Sequence, residues 1–408
     1  MPSAPRSVVE HRAVVAALLS PTPAEDVPLA QSLGRVLAAD VVAAVSLPSF
    51  ENSAMDGYAV RAGELAGASE ASPVAFRVAA DIPAGRTDVP VLEPGTVHRI
   101  MTGAPVPAGA DAVVPVEQTD GGVERVLIRV VPEKGAYLRH VGEDVHAGDV
   151  VLTAGTVLGA AQIGVAAAVG SATLPLRRRP VVLVLSTGSE LVAPGTPLQP
   201  GQIYESNGPM LAAAVEDAGG VAELLRFVPD DVEQFLGTLR ERVEEGAVDL
   251  VLTSGGVSAG AYEVVKDAFT GRGVEFVKVG MQPGGPQGAG RMAELGDVAV
   301  VTLPGNPVSS QVSFEVFVRP ALRAAMGHPH PDRAVVTATL SEGLRSPAGR
   351  RQFRRGTVDA VQGTVREVGT VASHMLGSMA LAECFFVVPE DVTELPAGAP
   401  VEVWLLDD

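Results

Sequence analysis

Residues 249–260 read DLVLTSGGVSAG. Leu250, Val251 and Leu252 form a short apolar run that breaks at Thr253 and Ser254 into two glycines. A run of this kind predicts a buried parallel strand opening into a turn whose backbone amides can face an oxyanion. A helix over 261–270 would add the positive end of its dipole to the same place. Glycine after a strand is also ordinary loop punctuation, so the turn gains its meaning from its neighbours.

Those neighbours repeat the theme. VVLVLSTGSE (181–190), VAELLRFV (221–228) and DVAVVTLPGNP (297–307) are strand-like runs with polar or glycine-rich exits. Between them the sequence predicts helices over 206–218 and 231–245, the second with Asp231 and Gln234 at capping-box spacing and Gly246 at its end. A last helix starts with Asn306 as N-cap and Pro307 in its first turn, and stops before Gly327. This βαβ rhythm over 180–327 predicts a parallel sheet covered by helices on both faces, with ligands beyond the carboxyl ends of the strands. The predicted rim consists of Ser186, Thr187, Gly188, Ser189 and Glu190; Pro229, Asp230 and Asp231; Ser254, Gly255 and Gly256; and Pro304, Gly305, Asn306 and Pro307. Glu190, Asp230 and Glu263 are oxygen donors suited to Mg2+ beside a phosphate; equally, Asp230 or Asp231 could cap a helix and Glu263 could simply be solvated.

The flanks differ in character. Residues 7–20 read as a capped helix, with Ser7 and Glu10 at capping-box spacing, and 29–39 as a second short helix. LPSFENSAMDGYAV (47–60) is too polar for core and reads as a turn-rich connector. From 60 to 142, short apolar runs split by glycine and proline predict a small β-rich domain, and 158–170 an alanine-rich helix. Arg177, Arg178 and Arg179 mark the entry to the α/β region as a solvated charge run or a phosphate contact. After His330 the runs are strand-like with no helix pattern, which makes a separate β domain. Its cluster Arg350, Arg351, Arg354 and Arg355 around Phe353 reads as a solvated face or as oxyanion-binding forks.

The chain has 408 residues and one cysteine, Cys384, so no internal disulfide framework is available and a reducing, cytoplasmic setting fits. A net charge of −18 argues against a nucleic acid partner, and no apolar run is long enough to span a bilayer. The seven histidines have no zinc-site spacing.

Taken together, NSAMDGYA, IMTGAPVPAGADAVV, STGSEL, SGGVSAG and LPGNPVSS occur in an order and spacing that resembles the molybdopterin molybdenumtransferase family, bacterial relatives of the gephyrin E domain. The resemblance spans nearly the whole chain. It implies a multidomain α/β plus β fold: a helical N-terminal linking region (1–50 with 144–179), a β-rich second domain (51–143), a central three-layer molybdopterin-binding α/β domain with a parallel sheet (180–327), and a β-barrel-like C-terminal domain (328–408). It also implies a homodimer whose site lies between the α/β domain, the last domain and the partner's second domain. The implied reaction takes molybdate and adenylylated molybdopterin to molybdenum cofactor and AMP with Mg2+ assisting. The molybdopterin adenylyltransferase and recipient molybdoenzymes are the implied protein partners.

Carried over by motif, the catalytic residues are Asp56, Thr102, Glu190, Asp230 and Lys278, and the metal ligands Glu190, Asp230 and Glu263. The cofactor-binding set is Ser186, Thr187, Gly188, Ser254, Gly255, Gly256, Ser258, Pro304, Gly305, Asn306, Ser309, Arg355 and Ser373. Two departures stand out. Glu263 replaces the family's Asp, and the family's Lys-Pro-Gly-Lys-Pro reads Gln282-Pro283-Gly284-Gly285-Pro286. With both lysines gone, Arg355, Ser309 and Ser373 become the expected oxyanion contacts, helped by Arg291. A pterin adenylyltransferase or nucleotide-pyrophosphate hydrolase, and a non-catalytic molybdopterin carrier or scaffold, are the competing readings.

Overall fold

The computed structural model describes residues 4–188, 190–225, 231–246, 248–255 and 264–407. Asp230, Gly256, Ser258 and Glu263 lie outside the described residues.

The first helix, Val8–Leu18, starts on the expected capping box: Glu10 N–H donates to Ser7 Oγ at 3.1 Å and Ser7 N–H to Glu10 Oε2 at 2.9 Å. Its buried face, Val8, Val15 and Leu18, joins the core of the α/β region. His11 on the same helix is fully buried edge-on to Phe317, with ring centroids 4.8 Å apart. The chain then pairs Ala24–Pro28 antiparallel with Thr173–Arg177, and residues 27–43 share a small core with Leu158, Ala166, Leu174 and Leu176. The helix expected over 29–39 is only a 3-10 turn at Leu29–Gln31, because the segment runs extended to reach that core.

Between these halves sits a five-stranded sheet, in spatial order Ala112–Pro115, Gly57–Val60, Thr96–Ile100, Val74–Ile82 and Arg125–Ile128. The stretch read as a connector therefore ends in a central strand. Gly57, Tyr58, Ala59 and Val60 are all buried, and Tyr58 donates its hydroxyl to Gly122 O at 2.9 Å.

The α/β region has the spatial order Val221–Leu225, Val181–Ser186, Leu250–Ser254, Val298–Leu303, Pro286–Met292, Val274–Lys278. The first four strands are parallel and the fifth is antiparallel to its neighbours. Period-two alternation sends Val182, Val184, Leu252 and Val301 to one face, against Leu211, Val215, Val312 and Leu322. It sends Leu183, Leu185, Val251 and Val300 to the other, against Phe235, Leu239 and Phe269. Burial on both faces explains why these strands read as continuous apolar runs. The helix Val232–Glu245 begins with Asp231 accepting from Gln234 N–H at 2.9 Å, as its spacing predicts.

Helix Pro307–Ser313 continues through a wider turn, Phe314–Val318, into Arg319–Ala325, and Gly327 follows at φ +70°. Glu315 on that wider turn is buried and accepts from Arg333 Nε at 3.0 Å, which ties the start of the last domain to the helix. The last domain is a closed five-stranded barrel. Arg351–Asp359, Thr364–Glu367, Val335–Leu340, Pro400–Leu405 and Cys384–Val388 pair in turn, and the last pairs back with the first. One short helix, Leu376–Ala380, interrupts this otherwise β domain. Cys384 lies inside the barrel, where burial pushes its thiol up to about 12.

The run Arg177–Arg179 is neither a solvated stripe nor a phosphate contact. Arg177 donates to Thr22 O at 2.9 Å, Arg178 grips Asp249 through two bonds of 2.9 and 2.7 Å, and Arg179 donates to Gly219 O at 2.9 Å and Glu216 at 2.5 Å. These bonds join the linking region to the first strands of the α/β sheet.

Candidate oxyanion and cofactor site

The carboxyl ends of the parallel strands are drawn together by side-chain bonds. Asn207 Nδ2 donates to Ser254 Oγ at 2.8 Å and to Gly305 O at 2.7 Å, and Ser310 Oγ donates to Ser254 Oγ at 3.2 Å. Thr187 N–H reaches Ser254 O at 3.2 Å and Gly255 N–H reaches Leu303 O at 3.1 Å. Gly255 has φ +96°, and a Cβ there would stand 2.8 Å from Thr187 O, so only glycine allows the two turns this approach. The Ser254 hydroxyl is thus occupied in holding the rim. Ser186 Oγ is buried with no partner among the described residues.

Next to this rim is a cavity of about 380 Å3 between the α/β domain and the barrel. The hairpin end Lys278–Pro286 supplies one wall, Pro304, Gly305, Asn306 and Ser309 a second, and Arg350, Val371 and Ser373 of the barrel the third. Asn306 is the N-cap of the long helix and its side chain makes no capping bond; in the first turn Pro307 has no N–H to offer and Val308 N–H donates to Ser373 O at 3.2 Å, which ties the helix start to the barrel wall of the cavity. Among the described residues the lining carries two cations, Lys278 and Arg350, and no carboxylate. Both are exposed, and neither makes an ion pair or side-chain hydrogen bond with a described residue. In a chain of net charge −18, a cavity whose described lining has two unpaired cations, hydroxyls and no acid has the electrostatics that suit an anion.

Of the residues predicted from sequence, Lys278, Pro304, Gly305, Asn306, Ser309 and Ser373 line this cavity, as do the substituted positions Gln282 and Gly285. Arg355 does not. It is buried in a neighbouring cleft with Gln282, Val308 and Thr370, and its guanidinium closes on Thr370 O and Ala372 O. It thereby holds the segment leading to Ser373. Arg291 is also committed elsewhere, donating to Asp297 O at 2.6 Å and to Leu18 O at 2.5 Å, the carbonyl at the end of the first helix.

Asn207 was not singled out by sequence, and Arg350 only as one member of the four-arginine cluster. Arg350 was hidden in a run where four arginines look equivalent, and Asn207 had the appearance of an ordinary helix start.

Asp56 and Thr102 form one unit in the second domain: Thr102 donates its N–H and its hydroxyl to Asp56 Oδ1, each at 2.7 Å. These two bonds, the backbone one first, hold the Asp56 carboxyl below its usual range. Neither residue lines the cavity. Glu190 is exposed with no cation partner among the described residues, its carboxylate folded against Gly188. A free carboxylate suits a divalent ion that takes oxygen ligands.

Known proteins resemble the chain along its full length. Residues 6–170 match the MoeA N-terminal region (domain I and II), 183–324 a probable molybdopterin binding domain, and 337–406 the MoeA C-terminal region (domain IV). Molybdopterin molybdenumtransferase 2 of Mycobacterium tuberculosis (strain ATCC 25618 / H37Rv) is 56% identical over 406 residues, covering 98% of this chain and 99% of that protein. Molybdopterin molybdenumtransferase of Bacillus subtilis (strain 168) is 34% identical, covering 94% and 90%. The crystal structure of the molybdopterin biosynthesis MoeA protein from Pyrococcus horikoshii superposes with a TM-score of 0.81 at 31% identity, covering 98% of this chain and 99% of that one. With three consecutive family regions matched and a relative this similar along the full chain, the protein belongs to the MoeA family.

Proposed function

We propose that the protein is a molybdopterin molybdenumtransferase: it inserts molybdenum from molybdate into adenylylated molybdopterin and releases AMP. The observation that carries this reading is a cavity whose described lining holds Lys278 and Arg350 without a partner and no carboxylate, set against the glycine-rich strand ends. The amides of Gly305 and Asn306, which make no hydrogen bond with a described residue, offer donors to the phosphates, and the cavity offers donors to the oxyanion. Charge that develops on the departing phosphate is stabilised by donors already in place, which favours the transition state over the bound substrate.

Mg2+ would be held by Glu190 with Asp230 and Glu263, and would neutralise phosphate charge. The chain works as a cytoplasmic homodimer on this reading, because Asp56 and Thr102 lie off the cavity of their own chain and a second copy can bring them to it. Asp56 is ionised at neutral pH and oriented by Thr102, so it is suited to fix a ligand donor or a hydrated cation across that junction. The adenylyltransferase upstream and the apo-molybdoenzymes downstream are the protein partners this activity requires.

AMP release from adenylylated molybdopterin with Mg2+, measured with and without molybdate, tests the function. Molybdate-dependent release is expected. Binding of the adenylylated pterin without release at any molybdate concentration would make the chain a carrier. Mixing Asp56→Asn and Arg350→Ala chains tests the shared site: recovery of activity beyond either variant alone is expected, and none would place both residues in separate roles.

A further inference from the structure

The two cavity cations stand at the ends of adjoining rungs of one small ladder. Lys278 closes the edge strand of the α/β sheet, and Arg350 immediately precedes the first barrel strand. Between them, Met281–Gln282 pairs in parallel with Arg351–Gln352, and Arg351 N–H donates to Gly280 O at 2.9 Å. On the outer side of the same segment lies Arg6. Its N–H donates to Lys278 O at 2.8 Å and its carbonyl accepts from Gly280 N–H at 2.8 Å, a parallel bridge to Val279. The ladder thus runs from the N-terminal segment through the cavity wall to the barrel.

Arg6 is well fastened for this task. Ser7 follows at once with the capping box, and Val8, Val15 and Leu18 bury the helix against the α/β core. The Arg6 guanidinium reaches Glu275 at 2.6 Å, on the very strand that ends in Lys278. Without Arg6, Val274–Lys278 would be an open sheet edge, held only through its antiparallel partner Pro286–Met292. The loop 279–285 would then be held from the barrel side alone, with nothing fixing its outer side at Lys278 and Gly280.

We propose that Arg6 is a positioning residue for the oxyanion cavity: its main chain clamps Lys278 and Gly280 and so fixes the spacing of Lys278 and Arg350. The inference rests on the reading of that cavity as the molybdate site. Its predicted signature is a change in oxyanion binding with little change in turnover, because the cations are displaced rather than removed.

Arg6→Pro removes the N–H that holds Lys278 O, and a chain beginning at Ser7 removes the whole clamp while keeping the cap residues. Val126→Ala, a cavity in the core of the second domain, serves as the control for lost stability alone. Two quantities are read: hydrogen exchange at Val279–Gln282, and kcat and KM for molybdate in AMP release. Faster exchange with KM raised on the order of tenfold and kcat within about twofold is the expected result, beyond any change in the control. Faster exchange with an unchanged KM would overturn the positioning role and leave the transferase reading intact. A wild-type protein with no molybdate-dependent release would overturn both.

Discussion

Arg177–Arg179 and Arg350–Arg355 are both dense arginine runs beside domain boundaries, and the fold treats them differently. In the first, every guanidinium ends on a carboxylate or a carbonyl of the protein. In the second, Arg351 is paired with Glu390 at 2.9 Å, Arg354 with Glu367 at 3.0 Å, and Arg355 with the carbonyls of Thr370 and Ala372, while Arg350 has no partner among the described residues. Local charge density does not decide which arginine is functional. What decides it is whether the surrounding backbone and carboxylates have already claimed the guanidinium. On the proposed reading, an arginine with no partner among the described residues, beside a cavity whose described lining holds no acid, is available to a ligand.

Several substitutions can break or sharpen that contrast. Arg350→Ala carries the largest expected effect: losing a charge-assisted contact to the oxyanion should cost about 2–3 kcal/mol, or roughly 30- to 150-fold in kcat/KM for molybdate, with the melting temperature unchanged. An unaltered kcat/KM would remove Arg350 from the site. Arg178→Ala should do the reverse, lowering unfolding stability by about 2 kcal/mol through its lost bidentate bond to Asp249 while leaving KM alone.

His11 extends the contrast to a buried group with no partner at either ring nitrogen among the described residues. Burial first, then the nearby Arg6 charge, lower its pKa from 6.5 to about 4, with Glu275 opposing. The folded state therefore keeps His11 neutral while the unfolded chain takes up a proton below 6.5. Its stability contribution is complete above that pH and is lost as pH falls toward 4, amounting to about 2 kcal/mol at pH 5. Denaturant titrations at pH 7.5 and 5 should show this slope, and His11→Leu should flatten it. Gly285→Lys should give the smallest change. Its backbone is not left-handed and the nearest atom to an added Cβ is Val279 O at 3.5 Å, so a third cation fits. A KM for molybdate lower by a few-fold, worth about 1 kcal/mol, is expected; a higher KM would mean that the cavity is already balanced with two cations.

What could be read from sequence was whatever is local. The capping box at Ser7, the N-cap at Asp231, the strand runs, and the Asn306-Pro307 helix start all come from residues within one turn of each other. The inner antiparallel strand Pro286–Met292 was missed because PQGAGRM has no apolar alternation. Its glycines answer to neighbours distant in sequence: a Cβ on Gly290 would lie 2.0 Å from Gly273 O, and one on Gly288 2.2 Å from Thr302 Oγ1. The rim itself was legible as a set of strand exits, yet which of its groups remain free was not. Ser254 looked like a ligand donor and turned out to be bonded by Asn207 and Ser310. Arg355 and Arg350, five positions apart on one strand approach, could be told apart only once the barrel closed.

The barrel interior has a chemical consequence for sulfur. The substrate of this reaction carries a pair of thiolates and its product a thiophilic metal, so a reactive protein thiol nearby would compete for both. Cys384 is the chain's only cysteine, and burial keeps it protonated far above physiological pH. It can neither scavenge molybdenum nor exchange with the dithiolene while the barrel is shut. Alkylation of Cys384 therefore becomes a clock for barrel opening, read from a single atom that the chemistry next door never touches.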